Sequence, residues 1–262
     1  MSQDARGDHL RVLGVNERDH PTLIVVPAWN EERNVGHTVS EILAARPEYD
    51  VVVIDDGSTD STAAVARSAG AAVIQLPFNL GVGGAMRTGF TYALRHGYTR
   101  AIQVDADGQH NPADIDSVLE GLERADISIG ARFAEVGDYD VKGPRRWAMI
   151  VLARVMSRVA GTKLTDATSG FRAAGPSAIA QYVRYYPAEY FGDTLDSLVA
   201  ACHAGLTVTQ VPVAMRPRMH GTSTQGTFGA LVYLLRAVFA LGLAVVRPHR
   251  AIGAVARTEE PA

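Results

Sequence analysis

Cysteine is almost absent from this 262-residue chain: Cys202 stands alone, which excludes an intramolecular disulfide framework and a cysteine-rich zinc site and fits a reducing compartment. Its Ala and Leu neighbours mark it as packed and not reactive. Positive charge is not in excess either. With 25 Lys and Arg against 28 Asp and Glu, the formal charge is −3, and nucleic acid is excluded as the main partner because phosphate-backbone binding draws on many cations. Residues 1–20 lack an apolar stretch of signal-peptide length and read as a flexible leader. No internal repeat or long low-complexity linker interrupts the remainder, which at 47% apolar residues suits one α/β domain with a sizeable core.

Apolar runs alternate with helical patterns from residue 22 onward. Thr22-Leu23-Ile24-Val25-Val26, Val51-Val52-Val53-Ile54, Ala72-Val73-Ile74-Gln75-Leu76 and the run before Asp105 read as strands, with a shorter one at Ile127–Gly130. Between them, Val35, Val39, Ile42 and Leu43 mark a helix, a glycine-rich turn at 79–84 leads into a helix around Met86–Leu94, and another helix covers about Ala113–Leu122. This spacing implies a mostly parallel, Rossmann-like sheet flanked by helices and joined by right-handed crossovers. Further on, the pattern predicts a helix over Trp147–Val159, a short strand or turn at Thr168–Arg172, a helix over Thr194–His203 and a strand Thr207–Val211 closed by Pro212.

Polar clusters follow three of the strands: Asn30-Glu31, Asp55-Asp56 and Asp105-Ala106-Asp107. In sheets of this kind ligands bind outside the carboxyl ends of the strands, so all three clusters fall on one edge. Helix caps would also place Asp and Asn there, but a cap favours one short polar residue over adjacent carboxylates that repel each other. Asp105 and Asp107, leaving a strand end two residues apart, suit one hard cation, which prefers oxygen ligands and brings phosphate oxygens with it. A basic loop, Arg216–Ser223, is placed to close over an anion. Residues 228–246 are nearly all apolar around Arg236, and a central arginine costs about 2.5–3.5 kcal/mol on insertion scales. A helix over 228–250 lying on a membrane surface is the cheaper arrangement, a core helix packed on the domain the alternative, and 251–262 a tail.

Gly81-Val82-Gly83-Gly84-Ala85-Met86 is a poor dinucleotide fingerprint, since Met86 replaces the third glycine and the segment follows the third strand and not the first. A nucleotidyltransferase would want a basic glycine-rich stretch after strand one, where Pro27-Ala28-Trp29-Asn30-Glu31 is acidic. A non-catalytic nucleotide- or membrane-binding scaffold would have no need of Asp105 and Asp107.

The segments Val26–Glu32, Val53–Asp60, Asn79–Gly89, Asp105–Pro112, Gly130-Ala131-Arg132, Asp166 with Ser169–Arg172, and Arg218–Ser223 together resemble family 2 glycosyltransferases of the GT-A fold, in particular polyprenyl-phosphate hexosyltransferases. The resemblance spans about residues 22–224 and implies a catalytic domain at 21–227. It implies an inverting transfer of a hexose from a UDP- or GDP-sugar to a polyprenyl phosphate, on the cytoplasmic face of a membrane, with Mg²⁺ or Mn²⁺ at Asp105 and Asp107. Pro27, Trp29 and Glu31 would line the nucleotide pocket, Asp56 would meet base or ribose, and Gln109 would lie beside the sugar or acceptor phosphate. Arg132, one of Arg145 and Arg146, and Arg218 would clamp phosphates. Two positions depart from the pattern: Val82 and Thr224 stand where relatives often carry lysine. The alternative acceptor is a saccharide hydroxyl in assembly of a surface polysaccharide. That acceptor would need a general base, for which Asp193 is the candidate, its other reading being a helix N-cap. Self-association is left open.

Overall fold

The computed structural model describes residues 21–132, 144–187 and 193–218, with backbone alone at 132, 144–150 and 193. In chain order the elements are β1 (Thr22–Ala28), α1 (Val35–Ala45), β2 (Asp50–Asp55), α2 (Thr62–Ser68), β3 (Ala72–Gln75), α3 (Gly81–Arg95) and β4 (Arg100–Gln103). They continue as α4 (Ile115–Glu120), β5 (Ile127–Arg132), α5 (Pro144–Ala160), β6 (Arg172–Ala174), α6 (Pro176–Arg184), α7 (Asp193–His203) and β7 (Val208–Val213).

The strands form one seven-stranded sheet in the order β3-β2-β1-β4-β6-β5-β7. Every neighbouring pair is parallel except those of β6, which runs antiparallel to both β4 and β5. Alternate residues of the central strands serve two separate cores. Leu23 and Val25 of β1 join Met86 and Phe90 of α3, Ile179 and Tyr182 of α6 and Leu198 of α7. Ile24 and Val26 face the opposite way, onto Val35, Val39 and Ile42 of α1 and Ile115 and Val118 of α4. Burial on both faces explains why these strands read as unbroken apolar runs.

Helix α3 lies against β1 so closely that a Cβ built on Gly89 would fall 2.3 Å from Val25 Cγ1. Its first turn starts at Gly81, so the glycines expected to form a separate turn are already helical. The strand expected to end before Pro212 instead includes it, with Pro212 paired to Ala131 in register. As the outermost strand, β7 has a free side on which a missing N–H costs no ladder bond. Helix α6, opened by Pro176 at its first position, adds an element beyond the sequence expectation.

Among the described residues no helix is long and apolar enough to cross a membrane. The leader 1–20, the loop from Met219 to Ser223, the 228–250 segment and the tail lie outside the described residues.

Candidate active site at the carboxyl edge of the sheet

Strand β1 is followed by β2 and then β3 on one side, whereas β4 returns to its other side. This reversal opens a crevice between the ends of β1 and β4. Asn30-Glu31, Asp55-Asp56 and Asp105–Asp107 follow the strands around it.

The loops after β1 and β2 are laced together. The Asn30 N–H donates to Ser58 Oγ at 2.9 Å, and the Thr59 N–H donates back to Asn30 Oδ1 at 2.9 Å. Asn30 takes φ 54°, a conformation that asparagine tolerates better than most residues. Glu31 N–H is held by Thr62 Oγ1 at 2.9 Å, and Asp56 N–H by the Ala28 carbonyl at 2.8 Å. Asp56 accepts from the Leu80 N–H at 2.7 Å, which ties the start of α3 to the same floor. Burial pushes its carboxyl above the usual range, outweighing the hydrogen bonds from Leu80 and Gly81 that favour the ionised form. Gly57, at φ 69°, lets the chain pass Phe78, whose carbonyl carbon would lie 2.7 Å from an added Cβ. Above this floor Trp29 is 45% exposed, and Pro27 pairs with Ile54 inside the sheet.

The other half of the crevice is acidic. Asp105 Oδ1 accepts from Gln103 Nε2 at 2.8 Å, while Asp107 Oδ1 accepts from the Gln109 N–H at 3.0 Å. Gly170 lies beneath Asp105, where a Cβ would come within 2.9 Å of Asp105 Oδ2. The turn carrying Gly170 is fixed by buried Arg172, which donates to the carbonyls of Ser169, Thr194 and Ala167 at 2.9, 2.8 and 2.8 Å. Burial raises the Asp107 pKa, and the negative charge of Asp105 raises it further. A cation relieves that repulsion, and an all-oxygen donor pair suits a hard ion such as Mg²⁺ or Mn²⁺. Among the described residues no group of three or more His, Cys, Asp or Glu side chains is placed to hold a metal.

Arg218 crosses this rim. Its Nη2 donates to Glu31 Oε1 at 2.6 Å and its Nε lies 3.8 Å from Asp107 Oδ2. The sequence placed Arg218 as a phosphate clamp; in the structure its guanidinium spans two carboxylates. Arg216 holds the same segment from outside, with Nη1 3.0 Å from both Glu41 oxygens and Nη2 donating to Asn111 at 2.7 Å. Its N–H donates to the Gln109 carbonyl at 2.9 Å, so Gln109 is bound to the segment that delivers Arg218. Neither Arg216 nor buried His110 was assigned a role of its own from sequence, although His110 sits inside a segment that carried the resemblance and Arg216 inside the basic loop expected to close over an anion.

Arg132 ends β5, Arg145 and Arg146 lie in the first turn of α5, and Asp193 opens α7; these are backbone positions, and their side chains lie outside the description. Cys202 is half-buried, with its thiol pushed up to about 11 by burial, which makes it a poor nucleophile at neutral pH.

Residues 23–182 match the family model for glycosyl transferase family 2. The chain belongs to this family. This family 2 glycosyltransferase is 29% identical over 211 residues to polyprenol monophosphomannose synthase of Mycolicibacterium smegmatis, covering 77% of this chain and 80% of the relative. It is 31% identical over 212 residues to undecaprenyl-phosphate mannosyltransferase of Micrococcus luteus, covering 77% and 86%. Its fold matches that of glucosyl-3-phosphoglycerate synthase from Mycobacterium tuberculosis, solved with Mn²⁺, UDP and glucosyl-3-phosphoglycerate. The TM-score is 0.68 at 18% identity, over 90% of this chain and 84% of that one.

Proposed function

We propose that this glycosyltransferase moves a hexose, with inversion, from a nucleotide-diphosphate sugar to a polyprenyl phosphate at a membrane surface. The observation that carries the reading is the carboxylate rim at the β1/β4 crevice, where Asp107 and Glu31 share Arg218 and Asp105 lies close enough to raise the Asp107 pKa. The acceptor class is supported by the relatives' names: polyprenol in one and undecaprenyl phosphate in another, with mannose as the sugar in both, and a third named dodecaprenyl-phosphate galacturonate synthase. Because that sugar varies while the lipid phosphate does not, the reading commits to the acceptor and to a hexose.

Each part of the crevice has a task in this transfer. The Trp29–Glu31 loop and Asp56 receive the nucleoside, over the floor built by the Ala28 and Leu80 contacts. Asp105 and Asp107 would hold Mg²⁺ or Mn²⁺, which supplies Lewis-acid stabilisation of the departing diphosphate. Arg218 adds positive charge on the same side, and Arg132 and Arg146 are the candidates for binding the acceptor phosphate. A phosphate monoester is anionic near neutral pH, so its oxygen attacks the sugar's anomeric carbon with little need of a general base as the bond to the diphosphate breaks. Attack opposite the leaving group inverts configuration.

A panel of UDP- and GDP-sugars assayed with short-chain polyprenyl phosphate, with products read by mass, tests the proposal. A glycosylated lipid phosphate formed only with divalent metal is the expected result. Transfer to a saccharide hydroxyl in place of the lipid would overturn it. Calorimetry with UDP and GDP, with and without Mn²⁺, separates the enzyme from a metal-independent binding scaffold.

A further inference from the structure

His110 is 2% exposed, and its ring stacks on Phe171 with centroids 4.7 Å apart and planes 13° from parallel. Both of its nitrogens face one residue. The Asp105 N–H donates to Nδ1 at 3.0 Å, while Nε2 lies 3.6 Å from Asp105 Oδ2. A nitrogen that accepts a hydrogen bond carries no proton, so the neutral ring has its proton on Nε2. At 3.6 Å this is a charge–dipole contact beyond hydrogen-bond length.

Asp105 is thereby constrained on several sides. Gln103 holds Oδ1, Gly170 lies below, and His110 fixes the backbone N–H, yet the side chain keeps 38% exposure. The His110 backbone also bridges to Met215, on the segment that continues to Arg216 and Arg218.

We infer that His110 is a positioning residue for Asp105: by accepting the Asp105 N–H, Nδ1 closes the loop from 105 to 110 and fixes the backbone from which the carboxylate reaches toward a divalent cation. This rests on the reading of Asp105 as an ion-holding group. Partners of this kind, one step removed from the ion, typically change metal affinity by about 10–100-fold when lost. The Nδ1 contact can be tested apart from the rest of the ring, because an Asn side chain offers a polar atom near the Nδ1 position and a Gln side chain offers one near Nε2.

The test uses the full chain, Mn²⁺ alone as probe, free Mn²⁺ read by electron paramagnetic resonance, and thermal unfolding followed by circular dichroism. H110N, which keeps an acceptor for the Asp105 N–H, is expected to bind Mn²⁺ within about threefold of the unaltered protein, whereas H110Q binds about tenfold more weakly. The melts show that both variants are folded at the temperature of the binding assay, so the difference reads the Nδ1 contact. H110F keeps the ring stack and deletes both nitrogens; about tenfold weaker binding is expected, and it carries the test if an amide variant fails to fold. Unaltered Mn²⁺ affinity in H110F, or H110Q binding Mn²⁺ as tightly as H110N, overturns the inference. No Mn²⁺ binding by the unaltered protein overturns the metal reading and this inference with it.

Discussion

Arg218 Nη2 lies 2.6 Å from Glu31 Oε1, a contact that joins residues 187 positions apart across the mouth of the crevice. The same guanidinium reaches toward Asp107, so the chain supplies its own cation to an edge crowded with carboxylates. A divalent ion arriving at Asp107 meets a positive charge already in place. With an ion on Asp107, Arg218 would act against the bare ion and in favour of the ion's nucleotide complex, whose phosphates it would bind.

Replacing Arg218 by Gln separates those effects. Mn²⁺ binding measured without nucleotide should strengthen, because a competing charge is removed, while kcat/KM for sugar transfer should fall about a hundredfold. Unchanged Mn²⁺ affinity would show that Arg218 does not screen Asp107.

Asp107→Ala should abolish transfer. A metal contributes several kcal/mol to stabilising a developing anion, which corresponds to more than about a hundredfold in rate. Steady-state assays with and without a chelator check this, and turnover persisting in the variant with metal removed would displace the ion from Asp107.

Asp193→Asn distinguishes the two acceptor classes. An ionised phosphate needs little base catalysis, so a loss of less than about tenfold is expected, whereas a hydroxyl acceptor deprived of its base would lose about 10²–10⁴-fold. Rates with lipid phosphate as acceptor decide it.

Asp56 makes stability depend on pH in a defined direction. Its carboxyl titrates above the usual range because of burial, so the folded state binds that proton more tightly than the unfolded state does. The stabilising contribution is therefore complete below about pH 4 and is lost as pH rises through the raised value. Urea melts of Asp56→Asn should gain on the unaltered protein between about pH 4 and neutrality. A gap between the two that stays constant over this range would contradict the burial argument.

Gly89→Ala should destabilise the protein, although Gly→Ala inside a helix ordinarily gains about 1 kcal/mol. The added Cβ would meet Val25 Cγ1 at 2.3 Å, and such overpacking costs about 1–3 kcal/mol. Chemical denaturation gives the sign directly.

Strands β1 and β2 were legible in the sequence because burial on both faces leaves mostly apolar side chains, but their ends were not: the apolar runs stop at Val26 and Ile54, whereas β1 continues through Pro27 to Ala28 and β2 takes in buried Asp55. β6 was not, since Arg172-Ala173-Ala174 is too short to display a period and owes its place to pairing with β4 and β5. Helix α6 carried a start signal in Gly175-Pro176 that went unused, and Pro212 was read as a terminator because sequence alone does not reveal that β7 lies on the sheet's edge. At the site, the carboxylates announced themselves through repulsion that only a ligand makes worthwhile. The partnership of Arg218 with Glu31 and the burial of His110 depend on contacts distant in the chain or on side-chain direction, and spacing encodes neither.

Placing β6 between β4 and β5 also bears on when activity can begin during synthesis. A nascent chain released only as far as residue 132 already contains the strands of the nucleoside half, but the segment that supports Asp105 from below and separates β4 from β5 has not yet been translated. Sugar transfer must wait until residues 170–174 have been made, so half-made copies leaving the ribosome cannot turn over donor.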